Sequence, residues 1–166
     1  MPLGNDYAGQ SCSMARTLEI VGERWTLLIV RDLLFGVRRF TELQRHLDIP
    51  RAVLAGRLAT LEEQGIVDRA GREYVLSERG LDLWPAVHAL MQWGERHCTD
   101  GRPRRVFLHA ACGKELDASG ACPACGREPE AAELETRPGP GAGPPLREDP
   151  VSVKLREPHR LLQPLS

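Results

Sequence analysis

The stretch from Arg38 to Ser77 decides the fold: RRFTELQRHLDIPRAVLAGRLATLEEQGIVDRAGREYVLS. Apolar residues recur three and four positions apart in two separate runs, which predicts two short amphipathic helices. The segment between them, Asp48-Ile49-Pro50, is a turn, and Pro50 suits the first position of the second helix. The apolar stripes are Phe40, Leu43 and Leu47 in the first helix and Leu54, Leu58 and Leu61 in the second.

The end of the stretch predicts a short β-hairpin. Ile66-Val67 and Tyr74-Val75-Leu76 are strand-like, and Ala70-Gly71-Arg72 is a turn signal between them. Two helices across a tight turn, followed by a hairpin, make a winged helix-turn-helix. In that fold the second helix enters the DNA major groove and the hairpin reaches the flanking backbone or minor groove.

Helices are also predicted on both sides of this stretch. Residues 13–21 and 25–35 read as helices upstream, and the second is apolar on almost every side, so it is expected at the centre. Residues 83–97 predict a helix downstream, with Pro85 in its first turn or kinking it. The expected organisation is an N-terminal arm (1–11) followed by a winged helix-turn-helix domain (12–100), mainly α with a small β-hairpin wing.

Charge is informative only locally. The chain has 166 residues and a net charge of −1, so no global basic field indicates nucleic acid. Five arginines nevertheless stand between residues 38 and 57 against two carboxylates, and two more stand at the wing. Such arginines either solvate a surface or contact phosphates, and their combination with the helix-turn-helix spacing favours double-stranded DNA. The expected DNA-contacting residues are Arg38, Arg39, Thr41, Arg45, Arg51, Ala52, Ala55, Gly56, Arg57, Arg69 and Arg72.

The outward face of the second helix is small and nearly apolar. Ala52 and Gly56 point outward with Ala55 beside them, and alanine can touch a thymine methyl group but cannot read a base edge by hydrogen bonds. Small residues let the helix approach DNA closely, although sequence drift explains them equally simply. Specificity is then expected to rest on Arg51, Arg57, the wing and DNA shape.

A second module is predicted over residues 104–135. Two ligand pairs, each with two residues between its members, are separated by nine residues, and four nitrogen and sulfur ligands with no open position are typical of structural Zn²⁺. A degenerate site without metal and, less favoured, a Cys122–Cys125 disulfide stay open as alternatives. Glu128, Glu130, Glu133 and Glu135 follow the last cysteine of the module, which argues against strong binding to phosphate. The candidate zinc ligands of this zinc-ribbon-like β module are His109, Cys112, Cys122 and Cys125.

The first hundred residues resemble the HxlR-type winged helix-turn-helix transcription regulators, relatives of the MarR group. The resemblance implies a homodimer on a pseudo-palindromic operator, with helices at the two ends of the domain forming the interface. This chain departs from the family in its shorter wing and in Pro50 and the small residues after it, where the family tends to have polar ones. The matching pieces are Cys12, GERWTLLIVRDLLFG (22–36), RRFTEL (38–43), L-x-x-R-L-x-x-L-E-x-x-G-I-V (54–67) and YVLSERG (74–80).

Two further sets of residues take their expected roles from this resemblance. Cys12 matches a cysteine that some members use to sense oxidants, and Arg16 one turn later would favour its thiolate, although a structural cysteine is the simpler interpretation. The last helix is over-apolar for a small monomer, which fits an interface, with internal core as the alternative. The candidate interface residues are Leu83, Trp84, Val87, Leu90, Met91 and Trp93.

Residues 136–166 are expected to be a Pro/Gly-rich linker and tail. RPGPGAGPP (137–145) predicts a stiff, extended linker, since it cannot form a core. VSVKL (151–155) alternates like an edge strand, but a loosely ordered tail is the favoured interpretation.

These patterns together predict a cytoplasmic DNA-binding transcriptional regulator with zinc as cofactor, and a small-molecule effector is open. The alternative is a thiol- or ligand-responsive sensor, or interaction module, whose zinc ribbon recruits a partner. An enzyme is not expected, because there is no Ser-His-Asp or Cys-His-Asn set, no Gly-rich phosphate loop and no open metal position for water. No membrane partner is expected, because the N-terminus MPLGNDYAGQ lacks a signal pattern and the longest apolar run is too short to span a bilayer.

Overall fold

The computed structural model describes residues 6–144 and 146–165. Part of the expected N-terminal arm (1–5), one proline of the expected linker (Pro145) and the last residue (Ser166) lie outside the described residues. Within the described part of the chain, no helix combines the length and the apolar character needed to cross a bilayer.

Through the first hundred residues the elements follow the predicted order with one addition, a short helix (α5) between the hairpin and the last helix. The first part contains α1 (Ser13–Val21), α2 (Thr26–Leu34), α3 (Phe40–Leu47), α4 (Arg51–Glu63), β1 (Val67–Ala70), β2 (Glu73–Leu76), α5 (Glu78–Leu81) and α6 (Trp84–His97). The second part contains β3 (Arg105–His109), β4 (Lys114–Glu115), a 3₁₀ turn (Ala131–Glu133), β5 (Leu134–Pro138), α7 (Pro150–Lys154) and β6 (His159–Arg160).

Helices α3 and α4 form the predicted helix-turn-helix. Helix α3 ends at Asp48, which adopts a left-handed conformation with φ of 54° and turns the chain. Pro50 lies immediately before α4 and is its N-cap, one position earlier than predicted. The apolar stripe of α4 is fully buried, so its opposite face is left toward solvent; the stripe residues are Leu54, Leu58 and Leu61.

The predicted wing is an antiparallel hairpin of two four-residue strands. Its register runs from Val67 opposite Leu76 to Ala70 opposite Glu73. Gly71 makes the turn with a φ of +64°, a conformation that glycine adopts without a steric cost. The N–H of Tyr74 donates to the Arg38 carbonyl over 2.8 Å, so the wing is attached to the segment that enters α3. The fold is thus mainly helical with small antiparallel sheets, as predicted.

The second part of the chain forms an antiparallel sheet in the strand order β4-β3-β5-β6. Strands β3 and β5 pair from Arg105 opposite Pro138 to His109 opposite Leu134. Strand β6 adds Arg160 opposite Glu135. The sheet therefore extends past residue 135, where the sequence predicted the module to end, and includes residues from the expected tail.

The C-terminal segment differs from the expected loose tail. Val151 to Lys154 lie in helix α7 rather than in an edge strand, and Leu155 is its C-cap. The helix forms because Asp149 caps it by accepting from the Ser152 N–H over 3.0 Å and Pro150 occupies its first turn. Apolar side chains hold the segment down: Val151, Leu155 and Leu161 are all buried. The Pro/Gly-rich composition favoured disorder, but these apolar side chains pack against the rest of the molecule and so order the segment.

Phe107 joins the two parts of the chain into one hydrophobic core. This β3 side chain is 2% exposed. Its ring centroid lies 4.9 Å from that of Trp84 on α6 and 6.3 Å from that of Phe35 after α2. The C-terminal sheet consequently packs against the winged helix-turn-helix instead of being tethered to it by a flexible linker.

The chain end also crosses directly over the C-terminus of α2. The N–H of Leu162 donates to the Leu34 carbonyl over 2.8 Å. Gly36 has a φ of +87°, and a Cβ added there would lie 1.8 Å from the Gln163 carbonyl oxygen. The close passage of the two backbones therefore requires glycine at position 36.

Alanine substitutions at Gly36 and Gly71 distinguish the strain of a positive φ from the steric clash with the chain end. Both residues have positive φ, but a Cβ at Gly71 meets nothing within 4 Å. We expect Gly71→Ala to lower the free energy of unfolding by about 1–2 kcal/mol. Gly36→Ala is expected to lower it by a further ~1–3 kcal/mol, because the chain end must move. Urea unfolding measures both values, and equal losses would show that the C-terminal segment does not cross at Gly36.

Candidate DNA-binding surface and metal centre

The outward face of α4 is open, as its composition predicted. Ala52, Ala55 and Gly56 are all exposed. A Cβ added at Gly56 would meet nothing within 4 Å, so packing inside the described molecule does not require glycine there. The face can therefore lie against an external surface with only small groups between that surface and the helix backbone.

Arginines on both helices of the helix-turn-helix flank this face. The guanidinium of Arg51 lies over the ring of Phe40, 5.1 Å from its centroid, and this stacking orients the side chain. Arg45 on α3 is exposed. Arg39 is 58% exposed, with its Nε 4.0 Å from Glu73 Oε1. These side chains are accessible to an anionic partner.

Two predicted contact residues are already engaged within the chain. Arg57 donates to Glu23 Oε2 over 2.9 Å, which ties α4 to the loop before α2. Arg38 donates to the Leu162 carbonyl over 2.6 Å, and it also lies 3.5 Å from Glu73. A phosphate must compete with these partners, so both arginines have a structural role that the sequence did not reveal.

The wing and the start of α3 meet at one surface cleft. Arg39, Thr41 and Arg72 line it together with Phe40 and Glu73. This cleft joins predicted contact residues that lie 30 or more positions apart in sequence.

The remaining wing arginine, Arg69, is held against the hairpin. Its guanidinium lies over the ring of Tyr74, 4.9 Å from the centroid. Its Nε is 3.9 Å from Glu62 Oε1. Arg69 is still 58% exposed, so it remains open to a partner.

A buried carboxylate whose role the sequence did not reveal connects α3 to α2. Asp32 is fully buried and lies 2.6 Å from His46 Nδ1 and 2.7 Å from an Arg31 nitrogen. A buried carboxylate without partners would be strongly destabilising, so this contact helps to set where α3 lies. In the sequence, Asp32 was only an interruption of an apolar run.

The four predicted metal ligands converge. The ligand atoms of His109, Cys112, Cys122 and Cys125 all lie within 4.8 Å of one another. His109 Nδ1 is 3.5 Å from the Cys112 sulfur and 3.3 Å from the Cys125 sulfur. Two of the sulfur pairs, Cys112–Cys122 and Cys112–Cys125, are separated by 3.5 and 3.8 Å. A tetrahedral ion with bonds of about 2.3 Å to sulfur needs sulfur atoms about 3.8 Å apart, so the donor set fits such an ion.

Each ligand pair is held by a tight turn that glycine closes. Gly113 follows Cys112 with a φ of +66°, and its N–H donates to the His109 carbonyl over 2.8 Å. Gly126 follows Cys125 with a φ of +68°, and its N–H donates to the Cys122 carbonyl over 2.8 Å. All five cysteines are free thiols in the structure, including Cys122 and Cys125.

The thiols of the site influence each other's ionisation. Burial raises the pKa of Cys122, but hydrogen bonds from the Cys125 N–H and from the other ligand side chains outweigh this effect and lower the pKa to about 6. Hydrogen bonds to Cys122 and Cys112 raise the pKa of Cys125 to about 11. One thiolate forms readily and a second is disfavoured beside it, which is the charge pattern that a bound cation compensates.

The other ring nitrogen of His109 points toward a carboxylate. His109 is buried, and its Nε2 has no hydrogen-bond partner among the described residues. Glu133 Oε1 lies 3.9 Å from this nitrogen and is itself held by Arg127 at 2.6 Å. A carboxylate beside the free nitrogen of a ligating histidine is the usual arrangement around metal sites.

The residues predicted for a dimer interface divide into two groups. Trp84 and Val87 are each 5% exposed and belong to the core around Phe107, and Leu83 and Met91 are partly buried against it. Leu90 and Trp93 are 54% and 55% exposed. Exposed apolar side chains also lie on α1, at Met14 and Leu18, which the sequence analysis did not include in the interface.

Cys12 is exposed immediately before α1. The side chain of Arg16 donates to the backbone carbonyls of Tyr7 and Gln10 and lies 3.0 Å from Glu19. These contacts engage the guanidinium that was expected to favour the Cys12 thiolate.

Comparisons with known proteins agree with this architecture. The HxlR family, described as an HxlR-like helix-turn-helix, matches residues 20–102. The HTH-type transcriptional regulator Rv3095 of Mycobacterium tuberculosis is 43% identical over 148 residues, covering 84% of this chain and 92% of its own. The HTH-type transcriptional regulator YdeP of Bacillus subtilis is 30% identical over 57% of this chain and 83% of its own. The crystal structure of PA1607, named as a candidate transcription factor, gives a TM-score of 0.51 at 33% identity, covering 67% of this chain and 92% of that one.

The match to Rv3095 is not confined to the winged helix-turn-helix. An alignment that spans 84% of the chain necessarily passes through residues 109–125, wherever it begins. The similarity therefore extends through the segment that contains the His/Cys cluster.

Proposed function

This chain belongs to the HxlR-like helix-turn-helix family of DNA-binding transcriptional regulators, and we propose that it binds a pseudo-palindromic operator as a homodimer. In this proposal, α4 of each protomer enters the major groove and the wing lies along the flanking backbone. Its site of action is the cytoplasm, where a regulator of this class meets DNA.

The observation that carries the proposal is the open face of α4. It presents only small groups at Ala52, Ala55 and Gly56, and the stacked Arg51 stands at its start. Close approach to base edges favours thymine methyl groups, and the accessible arginines around the face supply phosphate contacts. The accessible arginines are Arg39, Arg45, Arg51, Arg69 and Arg72.

Replacing these arginines should weaken DNA binding in a salt-dependent manner. For Arg39→Ala, Arg51→Ala and Arg72→Ala, we expect each lost phosphate contact to reduce the slope of log K against log[salt] by about 1. The measurement is fluorescence anisotropy with a duplex enriched from a randomised DNA library, repeated over a range of salt concentrations.

The matched control is Arg137→Ala, because Arg137 is exposed on β5, outside the helix-turn-helix, the wing and the helices of the proposed interface. It should leave both affinity and salt slope unchanged. If the three variants behave like this control, the assignment of this surface to DNA is wrong.

For the dimer, the supporting observation is exposed apolar surface on the two end helices of the domain. Met14 on α1 is 64% exposed, and Leu90 and Trp93 on α6 are both more than half exposed. Large apolar side chains at this density are typical of an interface between protomers. Trp84 and Val87, which are buried in the core, are then expected to support the interface from behind.

Charge placed on α6 should dissociate the dimer. Leu90→Asp and Trp93→Asp would bury a carboxylate in the interface without a partner, so we expect sedimentation velocity to show a monomer. The control Leu146→Asp changes a side chain that is 95% exposed and should leave the dimer intact. A dimer that survives both α6 substitutions would place the interface elsewhere.

We further propose that His109, Cys112, Cys122 and Cys125 hold a structural Zn²⁺. The support is the closed set of one nitrogen and three sulfur donors, with Glu133 behind the His109 ring. A bound ion would neutralise the cysteine thiolates and clamp the two turns together. Since β3 carries both His109 and the core residue Phe107, loss of the ion should loosen the whole C-terminal sheet.

Removing one ligand should release the metal and destabilise the fold. We expect Cys122→Ser to lower the zinc content of purified protein from close to one ion per chain to nearly none, with a reduced melting temperature. The control Cys98→Ser alters an exposed cysteine outside the cluster and should change neither value. Wild-type protein that contains no zinc by elemental analysis would refute the assignment.

A further inference from the structure

A cavity of about 550 Å³ lies where α2, α3 and the C-terminal segment meet. Residues from all three regions form its wall, and it is distinct from both the open face of α4 and the metal ligands. Its lining residues are Arg31, Phe35, His46, Arg104, Arg105, Pro138, Ala142, Gly143, Pro144, Leu146, Arg147, Ser152, Leu155 and Arg156.

The ionisable side chains of this lining are all basic. Five arginines and a histidine line the cavity, and none of the described residues in the lining carries a carboxylate. Arg31 is paired with the buried Asp32, and Arg147 has Asp48 and Asp149 at 3.9 Å. The other three arginines donate to uncharged oxygen atoms instead.

Those three hydrogen bonds hold the guanidinium groups without neutralising them. Arg104 donates to the Gly141 carbonyl over 2.8 Å, and Arg156 to the Arg147 carbonyl over 2.9 Å. Arg105 donates to the Leu155 carbonyl over 2.6 Å. Arg105 and Arg156 thus present positive charge that is held in place without a carboxylate partner among the described residues, and Arg104 has only the nearby Asp100.

Without a bound anion, the clustering of arginines is electrostatically unfavourable for Arg105. Its side chain is partly buried, and burial together with repulsion from Arg31 lowers the pKa of its guanidinium to about 10. A buried cation beside another cation is unfavourable unless an anion lies near both. The geometry is therefore suited to an anion that enters the cavity.

The rest of the wall is apolar and aromatic. Two arginines lie near the ring of Phe35, with the Arg31 and Arg105 guanidinium carbons 6.0 and 5.2 Å from its centroid. Leu155 and Pro138 line the same cavity. An inorganic anion would leave this surface unused, whereas an apolar body bearing a charged group would contact both kinds of wall.

We propose that this cavity binds a small organic anion, with a carboxylate against Arg104, Arg105 and Arg156 and an aromatic or aliphatic body against Phe35 and Leu155. Bidentate pairing with guanidinium groups would hold the carboxylate. The volume accommodates a molecule of one or two rings.

The site is connected to the DNA-binding helices through Arg147. The Arg147 side chain donates to the carbonyls of Arg45 and His46 over 3.2 and 3.1 Å, at the C-terminal end of α3. The backbone carbonyl of Arg147 accepts a hydrogen bond from the Arg156 side chain. A carboxylate bound to Arg156 is thus two hydrogen bonds away from the helix-turn-helix. The ligand is an effector in this proposal, and this part of it rests on the proposed DNA-binding function.

Calorimetric titration with 1-naphthoate tests the site without DNA. We expect binding to wild-type protein, a loss of affinity of at least about tenfold in Arg105→Met, where a buried charge contact is removed, and a smaller loss in Arg156→Met. Arg156 is exposed, so the second variant answers the question if the first fails to fold. The control Arg137→Met changes an exposed arginine on β5, next to the cavity but not in its lining, and should bind like wild type.

Uncharged and inorganic probes identify the chemistry. The neutral isostere 1-naphthamide should not bind, because it cannot pair with guanidinium groups, and inorganic phosphate should bind more weakly than 1-naphthoate. Equal affinity for the amide, equal affinity for phosphate, or equal affinity of all three variants would overturn the proposed ligand class. Failure of 1-naphthoate to bind wild-type protein would overturn the site.

The effector role has its own readout. Saturating 1-naphthoate should change the affinity of wild-type protein for the enriched duplex by at least about fivefold, a coupling of ordinary size, and should have no effect on Arg156→Met. Binding without any change in DNA affinity would refute the effector role. Absence of DNA binding by ligand-free wild-type protein would instead refute the proposed function and leave the calorimetric result standing.

A DNA phosphate is the competing occupant of the cavity. If Arg105→Met and Arg156→Met reduce the salt slope of DNA binding while 1-naphthoate fails to bind, the cavity belongs to the DNA surface and the proposal is wrong. The expected result is an unchanged salt slope in both variants, because α4 and the wing carry the phosphate contacts.

Discussion

The packing of the Phe107 ring against Trp84 and Phe35 is the contact on which the rest of the structure depends. It brings β3, the strand that carries His109 of the His/Cys cluster, against the last helix of the winged domain and against the end of α2. Buried aromatic pairs of this kind contribute both a large apolar area and a defined geometry. Because of this contact, the C-terminal module is a structural part of the regulator and not a separate finger.

That contact also creates the cavity between the two parts. Once β3 lies against α2, Arg105 and Arg31 both lie near the ring of Phe35. The chain end passes over Gly36, and Arg147, which precedes α7, donates to the Arg45 carbonyl near the C-terminal end of α3. The helix-turn-helix and the sheet that carries the His/Cys cluster thus share one boundary, and the cavity lies at that boundary.

The helix-turn-helix was predictable because its determinants are local. Apolar spacing and the Asp48-Ile49-Pro50 turn act over a few residues, and the stripe of α4 is buried as its period required. The convergence of His109, Cys112, Cys122 and Cys125 was predictable for the same reason, since the spacing of the two pairs is a local signal. The tail was not: its Pro/Gly content favours disorder, and Asp149 and Pro150 start a helix that is stable only because Val151 and Leu155 have a surface to cover.

The sequence by itself determined the helices of the helix-turn-helix, the hairpin wing and the pairing of the His/Cys cluster, because hydrophobic period, turn chemistry and residue spacing are properties of short segments. Only the tertiary structure decided which arginines are free and which are engaged, as with Arg57 and Glu23 or Arg38 and Leu162. It likewise decided that Trp84 is core while Trp93 is surface. Burial and pairing depend on residues far apart in the chain, and a local sequence pattern does not indicate which of these residues come into contact.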